Sequence, residues 1–118
     1  MALGRVMVIP SRAESLPYVV LETAAAGKPL ITTNVGGIPE IYGALSPALI
    51  PPGDAAQLAK AIAAAMCEPA AINDTARRLR TQVATSFSVE TMVDGVLAGY
   101  EQALARLAAP RAGIVARA

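Results

Sequence analysis

This sequence predicts an α/β fold built on a parallel sheet, and three observations carry that expectation. Short apolar runs alternate with longer helical patterns along the chain, the order that produces parallel strands joined by right-handed crossovers. The first run, "RVMVIP", is continuously apolar and rich in β-branched residues, as strands covered on both faces are. The chain has 118 residues, 54% of them hydrophobic and 16% charged, which suits one domain and excludes a disordered chain.

The elements follow in order. The first strand, Arg5–Pro10, is closed by Pro10. "YVVLETAAA" reads as a helix, with Pro17 tolerated at its start and Gly27 placed to end it. "PLITT" is a second strand, "GGIPEIYG" a glycine turn leading into a short helix, and "PALIPP" a third strand. Asp54 is the N-cap of the next helix, with Gln57 three residues on, a capping box. Leu58, Ile62 and Met66 lie at four-residue spacing and give that helix an apolar stripe. A helix from about 70 to 86 carries Ile72, Ala76, Leu79 and Val83 on one face. Ser88 caps a last helix whose Val93, Leu97, Tyr100, Leu104 and Leu107 form a face expected to be buried, with Pro110 ending it. Tyr42 and Tyr100 read as packing residues, Cys67 as a small apolar filler, and Arg77, Arg78 and Arg80 as a solvated face.

Composition removes several function classes. The formal net charge is +1, which gives no electrostatic case for nucleic acid. One cysteine leaves no disulfide framework, and the absence of histidine removes the commonest metal ligand and general base. No apolar run approaches the roughly 20 residues of a membrane span, and the N-terminus lacks a signal-peptide core. A cytoplasmic domain is the expectation.

In open α/β sheets ligands bind beyond the carboxyl ends of the strands. There "PSRAESLP" follows the first strand, "TTNVGGIPE" the second and "PPGD" the third, so Glu14, Asn34, Glu40 and the Gly36–Gly37 pair face one crevice. Gly-Gly lets backbone N–H groups approach a ligand closely, or simply makes the turn into the short helix. Glu14 and Glu22 are separated by seven residues, one in the loop and one inside the helix that follows. A carboxylate accepts from both hydroxyls of a vicinal diol, so the pair suits two sugar rings, or a sugar and a ribose. The alternative is a solvated Glu22 and a Glu14 that favours the helix dipole. Arg12 could reach a ligand there or pair with Glu14.

Taken together, "VMVIPSRAESLPYVVLETAAAGKPLITTNVGGIPEIYG" and "LIPPGDAAQLAKAI" resemble the C-terminal domain of the group 1 retaining glycosyltransferases of the GT-B fold. The resemblance runs from about Val6 to Tyr100. Its ordered blocks are the Pro10-Ser11-Arg12 turn, the Glu14/Glu22 pair, Gly27-x-Pro29, Gly36-Gly37-x-Pro39-Glu40, Pro52-Gly53-Asp54 and Phe87-Ser88.

That resemblance implies a partial Rossmann-like, three-layer α/β unit: the second half of a donor-binding domain over 1–109, followed by a tail over 110–118. It implies that Glu22 binds the ribose hydroxyls of a nucleotide-sugar donor and that Glu14, as catalytic residue, lies near the donor sugar and reacting centre. Ser15, Leu16 and Pro17 would line the sugar-phosphate region, with Gly36 and Gly37 as the second glycine loop. The motif departs from the family's usual Glu-Gly-Phe-Gly: "ESLP" places Pro17, which has no N–H to donate, in the contacting loop. In the family, Arg and Lys from an upstream half neutralise the leaving diphosphate in place of a metal. Neither that half nor an Asp-x-Asp motif occurs here, so the expectation is a metal-free, cofactor-free fragment inactive by itself. The acceptor would be a glycan or a lipid-linked sugar, with a full-length enzyme that can associate with membranes. The unpaired first strand predicts a homo-oligomer. Rival readings are half of a sugar-nucleotide epimerase, or a non-enzymatic interaction module.

Overall fold

A computed structural model describes residues 4–15 and 17–109; Leu16, Pro110 and the expected tail lie outside the described residues. Two units follow one another in the chain, Met1–Ser86 and Phe87–Ala118.

The first unit begins with strand β1, Met7–Ile9, and helix α1, Tyr18–Ala25. Strand β2 is Leu30–Thr32, helix α2 is Ile38–Tyr42, and a 3-10 helix occupies Gly43–Ala48. Helices α3, Ala55–Cys67, and α4, Pro69–Ser86, complete it. The α1 helix ends as its sequence requires. Gly27 takes φ +65°, its N–H donates to the Ala24 carbonyl at 2.9 Å, and that of Lys28 donates to Thr23 at 3.2 Å, so the last carbonyls of the helix are satisfied.

β1 and β2 are parallel, with Val8 opposite Ile31. Leu30 and Ile31 are consecutive and point to opposite faces of the sheet, and each anchors its own core. Leu30 packs with Val20 and Ala24 of α1, Ile38, Ile41 and Tyr42 of α2, and Leu79 and Val83 of α4. Ile31 packs with Ile50 and with Ala65 of α3, while Val6, Val8, Leu58, Ala61 and Ile72 border that cluster. Helix, sheet and helix thus form the three layers of the expected partial α/β domain.

The third strand is a correction. "PALIPP" contributes one parallel bridge, Thr33 to Ile50, in which the Ile50 N–H donates to Thr32 at 3.1 Å and the Asn34 N–H donates to Ile50 at 2.8 Å. Pro47, Pro51 and Pro52 have no N–H to give a ladder, and the Leu49 N–H is spent on Ser46 at 2.9 Å, closing the 3-10 helix. Only Ile50 is left to pair.

The α3 start and stripe also differ from expectation. Asp54 Oδ1 accepts from the Gln57 N–H at 2.9 Å, but the Asp54 N–H donates to Pro51, so half of the capping box forms. The buried face runs through Ala65, with Leu58 and Ala61 partly buried beside it. Ile62 and Met66 are exposed, as is Cys67 at the end of the helix. Small alanines let α3 lie close to the sheet, which turns the larger side chains to its flank. α4 follows its pattern: Ala76, Leu79 and Val83 are buried.

The second unit is the single helix α5, Val89–Ala108, capped by Ser88, whose Oγ accepts from the Thr91 N–H at 3.1 Å. No residue of α5 is buried. The face expected to be buried, Val93, Leu97, Tyr100, Leu104 and Leu107, is exposed; periodicity specifies that a stripe exists, and not what covers it.

Candidate functional site

The carboxyl ends of β1 and β2 are held together by two threonine hydroxyls. Thr32 Oγ1 donates to the Ile9 carbonyl at 3.0 Å, and Thr33 Oγ1 donates to the Ser11 carbonyl at 2.6 Å. Both threonines are buried, so these bonds are shielded from competing water. They fix where each loop leaves the sheet.

The Glu14 loop then folds against the glycine loop. Gly36 takes φ +53°, and a Cβ there would lie 1.8 Å from the Glu14 carbonyl oxygen, an impossible approach for any side chain. A Cβ on Gly37 would make ordinary contact with Pro17, at 3.7 Å. Glu14 itself is half-buried; Ser11 Oγ donates to its Oε1 at 2.6 Å, a short charge-assisted bond that fixes the carboxylate. The structure therefore brings together Glu14, Ser15, Pro17, Gly36 and Gly37. Leu16 lies outside the described residues.

Glu22 stands apart from this contact. It lies in the second turn of α1 with its side chain exposed, and no hydrogen bond or ion pair of that side chain occurs among the described residues. Arg12 is exposed and does not pair with Glu14, whose partner is Ser11. The α1 start has no side-chain cap, and its first intrahelical bond is from the Leu21 N–H to Pro17. The N–H groups of Tyr18, Val19 and Val20 are thus left without intrahelical partners, next to the loop.

Sequence reasoning missed Ser11, Thr32 and Thr33. The signal was present: hydroxyl residues where a strand ends have carbonyls of the neighbouring loop within reach. On the opposite flank, Arg77 pairs with Asp74 at 3.1 Å, both exposed, and the stem of Arg80 packs under Gly27.

In this α/β unit a carboxylate loop and a glycine loop interlock at the carboxyl ends of the strands, the place where ligands bind in open sheets of this kind. The family model for glycosyl transferases group 1 matches residues 1–68, and the chain belongs to that family. It is 35% identical over 94 residues to a glycogen synthase of Mycobacterium tuberculosis, covering 79% of this chain and 23% of that protein. To a D-inositol 3-phosphate glycosyltransferase of Mycolicibacterium vanbaalenii it is 37% identical over 117 residues, covering 95% and 24%. To a 2-deoxystreptamine glucosyltransferase of Streptomyces kanamyceticus it is 31% identical over 102 residues, covering 86% and 26%. The chain spans about a quarter of the length of these curated relatives. No solved structure matches it.

Proposed function

We propose that this chain supplies part of the donor site of an enzyme that moves a sugar from a nucleotide-sugar to an acceptor with retention of configuration. The observation that carries the reading is the seating of the Glu14 backbone on Gly36, with the carboxylate held by Ser11. A carboxylate fixed at the carboxyl ends of the strands is where a donor sugar would present hydroxyls and its reacting carbon. Ser15, Pro17, Gly36 and Gly37 line the sugar-phosphate region. The uncapped α1 start, carrying the positive end of the helix dipole, lies beside them and favours phosphate. Glu22, free on the second turn of α1, reaches the ribose hydroxyls. No metal takes part; the charge of the leaving diphosphate is neutralised by basic residues outside these 118. Charge stabilisation of that kind is commonly the largest catalytic contribution, so the chain alone binds nucleotide weakly and transfers no sugar.

The acceptor is a glycan or lipid-linked sugar, and the setting is the cytoplasm, which the single cysteine suits. Among the described residues no helix is long and apolar enough to cross a membrane.

The test is Glu22→Ala in a protein that joins this chain to its upstream half, with donor binding followed by calorimetry. Charged hydrogen bonds contribute about 1.5–3 kcal/mol each, so a roughly ten- to hundred-fold loss of donor affinity is expected. Unchanged affinity would remove Glu22 from the site.

A further inference from the structure

A cavity of about 260 Å³ opens between β2, the 3-10 helix, α3 and α4. Its walls are apolar, formed among others by Leu30, Ile31, Ala65 and Ile72, and its polar residues include Tyr42 and Glu68. Alanines dominate the α3 wall, and they leave the space that larger side chains would fill.

Tyr42 is the unusual member. It is only 2% exposed, yet its hydroxyl has no hydrogen-bond partner among the described residues, and burial alone raises its pKa above the ordinary tyrosine value. Among the described residues every side-chain polar atom fully sealed from solvent has a partner, so the Tyr42 oxygen is not fully sealed, and Tyr42 lines the cavity. A buried tyrosine usually finds a partner for its O–H; here a guest molecule would provide one. Glu68 follows the last residue of α3, is exposed and pairs with no cation among the described residues. It can only accept. A guest hydroxyl can accept from Tyr42, and Glu68 stands on the same lining as an acceptor.

We propose that this cavity is a second binding site, for a small apolar molecule carrying one hydroxyl group, of the phenol or short-chain alcohol class. Its volume suits a single ring and few further atoms, since a cavity of about 150 Å³ holds benzene. The site is independent of the donor reading, because none of its residues belongs to the Glu14 loop. It nevertheless touches the two elements that flank the glycine loop: Leu30 and Ile31 of β2 precede it, and Tyr42 ends the helix that follows it.

The experiment is amide-resolved NMR titration of the chain with phenol, benzene and benzoate. Saturable shifts confined to residues around Leu30, Ile31, Tyr42, Ala65 and Ile72 are expected, with phenol about five- to ten-fold tighter than benzene. Benzoate, whose charge would meet Glu68, is expected not to bind. Tyr42→Phe should erase the preference for phenol while benzene still binds. Ala71→Phe, at an exposed position on the rim, should fill the space and abolish both. Shifts that do not saturate or that scatter over the unit would overturn the site. Equal affinity for phenol and benzene, or a preference that survives Tyr42→Phe, would overturn the assigned chemistry.

Discussion

Gly36 determines the geometry of the site more directly than either glutamate. Its positive φ and its contact with the Glu14 carbonyl are both incompatible with a side chain. Gly36→Ala is expected to cost more than the ~1 kcal/mol of ordinary left-handed strain, because the obstructing atom is backbone and cannot swing away. A lower midpoint in urea denaturation, together with weaker donor binding in the longer protein, is the expected outcome; wild-type values for both would show that the loops are not interlocked. Tyr42 makes a prediction of a different kind. Its pKa is raised in the folded state by burial, so folded and unfolded chains are both neutral there below about pH 10. Above that pH the unfolded state ionises first, and stability falls by up to about 1.4 kcal/mol for each further pH unit. Tyr42→Phe should flatten this alkaline decline while leaving the neutral-pH side of the profile parallel to wild type. An unchanged alkaline slope would show that Tyr42 is not what titrates.

At the scale of elements, what could be read from sequence was what neighbours in the chain decide. Asp54 and Ser88 accept from N–H groups three residues away, and both caps form where expected. Asp54→Ala should therefore cost about 1 kcal/mol, measurable as a lowered thermal midpoint, whereas Gln57→Ala should cost much less because the reciprocal half of the box is not made. That the Glu14 loop and the glycine loop meet was legible too, since a loop after a strand has few other places to be. The third strand was not: "PALIPP" is apolar, but whether it pairs depends on N–H groups, and prolines removed them. Nor was the rotation of α3, because Leu58, Ile62 and Met66 make a stripe on paper while Ala61 and Ala65 allow the closer approach to Ile31. The exposed face of α5 shows the same limit, since an amphipathic pattern describes a helix without naming its partner.

At the scale of the whole molecule, β1 has a strand neighbour on one side only among the described residues. The Met7 N–H donates to Pro29 at 2.9 Å, so Met7 and Ile9 face β2, and the N–H and C=O groups of Val6 and Val8 face outward. Unpaired edges of this kind recruit strands, and such an edge is complementary to itself under a two-fold axis, with Val8 opposite Val8 of a second copy. Hollows of about 220 Å³ and 360 Å³ adjoin β1, one lined by Val8, Ile62 and Met66 with Arg5, and one by Met7 and Pro29 with Arg5 and Lys28. The isolated chain is expected to be a dimer at tens of micromolar by analytical ultracentrifugation, with slowed amide exchange at Val6 and Val8. A monomer with freely exchanging amides there would count against it, and so would a dimer that persists when Val8→Pro removes the central donor.

The prolines around Ile50 bear on how far such assembly can go. A sheet grows into a fibre only if each added copy presents a fresh edge like the one just covered, and here the far side of the sheet ends in a single bridged residue, Ile50, between Leu49, whose N–H is spent on Ser46, and Pro51, which has none. Recruitment through β1 is thus a terminating reaction: it consumes one edge from each copy and leaves nothing to propagate. Light scattering should level off at twice the chain mass as concentration rises, instead of climbing without limit.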